Sequence, residues 1–283
     1  MAGSPPTNLA SLLARLYNLA ADSGVELSQI QRAMANVVVG QMLSSGVIKG
    51  GAAVKMRVGD QPTRFTTDLD ALRPRHVSLD VFIDEFRDNL ATGWCHFTGT
   101  LEELRPARPS NVPQLYVMQP FRIRLRYRGR HWLSVPFELN VDELDAAAHP
   151  EFHLARDLSR MFTSIGLDAP DAVRLLSVEH QIAQKLHACT DTSSGSQTNQ
   201  RAHDLVDLQI LLNVSHIDWL GLRGICRRLF VFRQRHAWPP GVVAAPDWLQ
   251  LYETAAESLD VLPTVDQAVA WTNDLIRRIE NAT

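Results

Sequence analysis

Lysine is nearly absent from this 283-residue chain. Only Lys49, Lys55 and Lys185 carry an ammonium group, and the rest of the 28 basic residues are arginines. Against that background each lysine reads as a chosen point charge. Cysteine is scarce as well. Cys95, Cys189 and Cys226 are odd in number and lack metal-type spacing. That argues against a disulfide framework and for a reducing cytosol, hence a cytoplasmic protein. No apolar run reaches the length of a membrane span. The N-terminal Met-Ala-Gly-Ser-Pro-Pro lacks the basic and apolar regions of a signal peptide. There is no internal repeat and no low-complexity tract. A net charge of −3 excludes a generic nucleic-acid magnet. What is present, 45% apolar and 21% charged, is ordinary for one large soluble domain or two modest ones.

Residues 1–7 read as a disordered lead. Leu9 to Ala21 and Leu27 to Leu43 have helical spacing, closed by Gly24 and by Ser44-Ser45-Gly46. Val77 to Ile83 reads either as a strand or as the start of a helix running to Leu90. Gly93 to Leu101 is a further strand candidate, and 105–113, rich in proline and arginine, is a loop. Phe121 to Arg128 and Trp132 to Val141 alternate apolar and polar residues about a Gly129-Arg130 turn, which predicts a hairpin. From Glu151 onward the pattern is helical, with a soft boundary near 165–175, taken as 1–170 and 171–283. Helices are expected at Ser177 to Thr190 and Arg201 to Asn213, with two or three more across 217–280.

One stretch concentrates the chemistry. Val47-Ile48-Lys49-Gly50-Gly51-Ala52-Ala53 reads as a short buried strand, a glycine turn and a helix. The glycines permit close approach of a ligand, and the helix start offers unpaired N–H groups to an anion. After a loop, Arg64-Phe65-Thr66-Thr67-Asp68-Leu69-Asp70 reads as a second strand ending in two carboxylates. Residues two apart on a strand share a face, about 7 Å from one another. Two like charges so placed are costly unless a cation joins them. A phosphate cradle facing a carboxylate pair is what magnesium-dependent phosphoryl or nucleotidyl transfer requires. Glu138, on the polar face of the hairpin, is the candidate third metal-facing carboxylate, on a strand expected to lie antiparallel beside Asp68 and Asp70.

Two further groups stand out. Lys185 lies on a helix, and Asp204 and Asp207 share a face of the next one. Arg122, Arg124, Arg126, Arg128 and Arg130 are all expected on one side of the hairpin. An edge strand protected by charge needs only one or two such residues, whereas a surface that tracks phosphates accounts for five. A second basic cluster comprises Arg227, Arg228, Arg233, Arg235 and His236. His149 and His153 have the spacing of a zinc helix, but Pro150 and the position of Glu151 argue against one.

With these residues assembled, the chain resembles the AbiEii/AbiGii family of nucleotidyltransferase toxins, within the DNA polymerase beta-like superfamily. The resemblance rests on Arg15–Ala20, Val47–Ala53, Arg64–Asp70, Leu176–Ala188 and Arg201–Leu208, in the family's order over residues 10–215. It implies an α/β (α+β) nucleotidyltransferase core, a mixed sheet flanked by helices, followed by a helical C-terminal lobe. It implies that Lys49, Gly50 and Gly51 hold a nucleoside triphosphate, with Thr66 nearby, and that Asp68 and Asp70 bind Mg2+ (or Mn2+). Lys185 would contact phosphate and Asp204 would complete the site from the second lobe, with Asp207 the less favoured choice. The superfamily usually carries Gly-Ser at Gly50-Gly51, so a hydroxyl is missing here, and many relatives have serine at Thr66. The expected reaction moves a nucleoside monophosphate from an NTP to RNA, by resemblance the tRNA 3′ end, in a toxin paired with an antitoxin. The alternatives are modification of a protein or small molecule, and a nucleotide-binding regulator without catalysis.

Overall fold

Strand pairing explains how residues far apart in the chain reach one surface. A computed structural model describes residues 4–59, 63, 66–105, 118–191 and 201–283. Two helices come first, α1 (Leu9–Ser23) and α2 (Leu27–Met42). Asn8 caps α1 by accepting from the Ser11 N–H, and Gly24 ends it at φ +67°. Pro6 is buried, and its carbonyl accepts from the Tyr127 hydroxyl and Arg128 Nε. The described part of the expected disordered lead is therefore tied to the hairpin.

Among the described residues the sheet of the first unit has seven strands, in the order β3-β4-β5-β2-β1-β7-β6. They are β1 (Val47–Lys49), β2 (Leu69–Arg73), β3 (Phe97–Glu103), β4 (Gln119–Tyr127), β5 (Arg130–Val141), β6 (Glu151–His153) and β7 (Val173–Leu175). Pairs β2–β5 and β1–β7 are parallel and the others antiparallel, so the sheet is mixed, as expected. Helices α3 (Gly50–Val58), α4 (Leu79–Thr92) and α5 (Arg156–Ser164) also belong to this unit. One core runs from Met34, Val37 and Val38 of α2 through Phe82 and Phe86 of α4 to Ile123, Leu125, Val135 and Phe137 of the hairpin. Full burial of each such side chain is worth about 1.5–3 kcal/mol.

Several expectations change. The ambiguous Val77–Ile83 segment resolves as helix because Ser78 accepts the Val81 N–H and starts α4. Residues after Glu151 are not helical throughout: β6 and β7 are strands, and His149 and His153 lie outside any α-helix. The zinc-helix spacing is thus coincidental. Since β7 joins the sheet, the first compact unit ends at Leu176 and the second takes in Ser177–Thr283. That second unit is helical among its described residues: α6 (Val178–Thr190), α7 (Ala202–Val214), α8 (Trp219–Arg233), α9 (Trp248–Ala256) and α10 (Val265–Glu280). No helix among the described residues is long and apolar enough to cross a membrane.

Candidate active site

In the first unit the carboxylates gather at the start of β2. The strand begins at Leu69, so the acidic pair opens it rather than ending it as expected. Leu69, Ala71 and Leu72 are buried and fix the register. Asp70 then lies half-buried and Asp68 exposed. Arg64 and Phe65 fall outside the described residues. Asp70 is aligned with Glu138 on β5 and with Lys49 on β1. Residues in register on neighbouring strands present side chains to the same face. Glu138 therefore does stand beside Asp70, on a parallel strand rather than the antiparallel one expected.

The glycine turn answers to the same carboxylate. Gly50 has φ +66°, a conformation that L-residues rarely adopt. A Cβ there would overlap Asp70 Oδ2 and lie 3.2 Å from its Cγ and 3.4 Å from its Cβ. The carboxylate is thus seated against bare backbone at the start of α3. Gly51 is buried behind it. Thr66 is half-buried in the approach to the strand, and the Thr67 hydroxyl donates to Asp68 Oδ1 at 3.1 Å.

Sequence reasoning passed over Arg32. It is the sole charged residue of α2, and its Nη1 donates to the Ser134 carbonyl of β5 at 3.2 Å. Burial lowers its pKa, and the Asp68 carboxylate opposes that shift. The signal was available: a single charge inside a helix whose neighbours are Met34, Ala35 and Val37.

An exposed and a half-buried carboxylate at the start of β2 suit Mg2+, which binds one or two carboxylates and completes its shell with water and phosphate oxygens. Among the described residues no set of three or more His, Cys, Asp or Glu side chains converges as a preformed metal site. Asp68 and Asp70 fit the ion; the expected trio with Glu138 is not assembled as a ready-made site.

The five arginines separate. Arg122, Arg124 and Arg126 alternate with buried Ile123 and Leu125 and lie exposed on the face that carries Glu138. Arg128, at φ 47°, leaves the strand, donates to the Pro6 carbonyl and lies 5.8 Å from the Tyr127 ring centroid. Arg130 is aligned with Tyr127 on the opposite face. Three of the five therefore share a face, because the tight turn breaks the alternation that puts all five together on paper. Strand β4 lies between β3 and β5, so edge protection is not the reason for its arginines.

The second unit holds a closed charge cluster. Lys185 Nζ on α6 donates to Asp204 Oδ1 at 2.9 Å and Asp207 Oδ2 at 2.6 Å, both on α7. The three side chains are 8%, 5% and 1% exposed. Burial alone would raise the Asp204 pKa. Lys185, then His203 and Arg201, outweigh it and hold the carboxyl at about 2. Both aspartates therefore anchor the lysine. Of the second basic cluster, Arg227 pairs with Glu280 and Arg235 with Asp191. His187 is a core residue whose pKa burial lowers to about 3, packed against Phe230 and His236.

The family model described as nucleotidyl transferase AbiEii toxin, type IV toxin–antitoxin system, matches residues 32–275. The chain belongs to the AbiEii nucleotidyltransferase toxins. It is similar in fold to the nucleotidyltransferase toxin MenT4 of Mycobacterium tuberculosis H37Rv, with a TM-score of 0.54, 16% identity, and 95% of this chain and 90% of that one covered. A weaker likeness links it to JHP933 of Helicobacter pylori, with a TM-score of 0.40, 14% identity, and 87% and 88% covered. No curated protein matches the sequence significantly. AbiEii membership makes the protein a nucleotidyltransferase toxin, with a nucleoside triphosphate as the substrate the family implies.

Proposed function

We infer that this AbiEii toxin transfers a nucleoside monophosphate from an NTP to RNA, with the tRNA 3′ end as the acceptor, and is held in check by a cognate antitoxin in the cytoplasm. The observation that carries the reading is the seat of Asp70 on Gly50, beside Glu138, on the sheet face from which Arg122, Arg124 and Arg126 project. A carboxylate pair at a glycine turn that opens a helix suits nucleotide chemistry, and three exposed arginines on the same sheet face suit a polyanionic acceptor.

In the proposed step the acceptor hydroxyl oxygen bonds to the α-phosphorus, the bond from that phosphorus to the bridging oxygen breaks, and pyrophosphate leaves. Asp68 and Asp70 would hold Mg2+ or Mn2+, which supplies Lewis-acid stabilisation of the phosphate charge when bound. Lys49, Gly50, Gly51 and Thr66 are assigned to the triphosphate. Backbone N–H groups substitute for the serine hydroxyl that Gly51 lacks. Because two carboxylates suffice for the ion, Glu138 is assigned to receive the hydroxyl proton. Lys185 and Asp204 are assigned to the same reaction by the family's residue pattern, Lys185 to the phosphates.

The test is incubation with labelled NTPs, magnesium and total tRNA. Label is expected on the RNA, and none with Asp68→Ala. Label that goes to protein alone, or nowhere, sinks the RNA reading.

A further inference from the structure

We propose that the open face of β3, β4 and β5 is a track for single-stranded RNA running toward Asp70 and Glu138, and that Glu102 is a built-in competitor for its phosphates. The proposal rests on the RNA-transfer reading above and adds where the acceptor lies and what regulates its grip.

The register lays out the track. Arg122 is aligned with Glu102 on β3 and Pro136 on β5, Arg124 with Thr100 and Ser134, and Arg126 with Thr98. One step before Arg122 on this face, Pro120 is aligned with Glu138, and Glu138 with Asp70. Successive arginines are about 7 Å apart along the strand, so the row points away from the carboxylates in even steps. All three arginines, Thr100 and Pro136 are exposed. A row of guanidinium groups with hydroxyls beside it matches a phosphate–sugar chain, which presents charge at regular intervals and a 2′-hydroxyl at each.

Glu102 already occupies the phosphate position. Its Oε2 accepts from Arg124 Nε at 3.1 Å and Nη2 at 2.9 Å and lies 3.7 Å from Arg122 Nη1. The carboxylate thus takes the guanidinium fork that a phosphate would take. All three side chains are about half exposed, between 42% and 53%. Exposed pairs of this kind are weak, so a phosphate can displace the carboxylate at modest cost. Weak or sparse polyanions would lose that contest, whereas a strand that meets all three arginines at once would win it.

The experiment measures binding of a short 5′-fluorescent single-stranded RNA with a free 3′-hydroxyl, by anisotropy across a salt series and without NTP. Glu102→Gln is expected to tighten binding about two- to fivefold. Arg124→Gln and Arg126→Gln are each expected to weaken it about five- to tenfold and to flatten the log–log salt slope by about 0.7. Arg160→Gln, an exposed arginine on α5, serves as the control and should change neither. The same RNA is then assayed for label transfer from NTP. RNA that is labelled while its affinity ignores Glu102→Gln and Arg126→Gln overturns the track and leaves the transfer reading standing. RNA that is neither bound nor labelled overturns both.

Discussion

Replacing Gly50 by alanine should separate activity from stability. Two costs are expected. The first is backbone strain, since a side chain at φ +66° costs about 1–2 kcal/mol. The second is steric. The new methyl meets the far end of the Asp70 side chain, which can swing aside, so little further stability is lost. The oxygen must move by about 1 Å to regain ordinary contact distance. Misplacement of a reacting group by that much costs about 10²-fold in rate. Gly24→Ala supplies the control. Gly24 has φ +67° at the end of α1, and nothing lies within 4 Å of a Cβ placed there. Both variants should lose similar stability in urea, while only Gly50→Ala loses about a hundredfold in kcat for nucleotidyl transfer. The reasoning is refuted if Gly50→Ala keeps activity within a few-fold of the parent, or if Gly24→Ala loses as much.

Glu138→Gln should lower kcat by about 10²–10⁴-fold and leave fluorescent-NTP affinity in Mg2+ unchanged; a matched loss of affinity would instead make Glu138 a metal ligand. Lys185→Met leaves two buried carboxylates without their cation and should destabilise the fold by about 3–5 kcal/mol in urea, with Asp207→Asn restoring part of it; parent-like stability would contradict the closed cluster. Asp142 is 2% exposed, its Oδ2 accepts from the Ala147 N–H at 2.8 Å, and burial pushes its pKa up to about 6. A raised folded pKa means stability is full below the unfolded value near 4 and falls as pH rises through about 6. Asp142→Asn removes that loss, so its stability relative to the parent should grow by about 2–3 kcal/mol between pH 4 and pH 7, read by urea unfolding at each pH; a constant difference would show that Asp142 ionises freely.

The parts of the fold that were legible in the sequence are those written in local periodicity. The alternation of Phe121 to Tyr127 and of Val135 to Leu139 survives in the hairpin because both strands keep one face in the core. The turn between Lys49 and Gly51 was legible because glycine is required where the backbone meets Asp70. Three-residue strands are too short to show a period, so Glu151–His153 and Val173–Leu175 were read as helical territory. Parallel pairing of β2 with β5 leaves no local trace either: Asp70 and Glu138 meet through a long crossover, and only the sheet's order reveals the alignment. Arg128 misled for the opposite reason. Alternation was extrapolated one residue into a turn whose positive φ reverses it.

The spacing of the aspartates also explains why the two charge clusters differ in kind. Asp70 lies in β2 and Asp68 immediately before its first residue, Leu69, so this pair opens a strand of the sheet. Asp68 is exposed and Asp70 and Glu138 are half-buried, so water reaches them and a cation can enter without an ion having to be extracted from a dry interior. Asp204 and Asp207 follow the helical i, i+3 pitch, which points both carboxylates at one neighbouring helix. There α6 supplies Lys185, and the trio is closed from solvent at no more than 8% exposure. Binding at the strand pair adds charge to a wet, acidic surface; recruiting Lys185 means taking an ammonium from two buried acceptors. On the proposed reading the strand pair takes up the ion, and any ligand that engages Lys185 must compensate both aspartates as it does so.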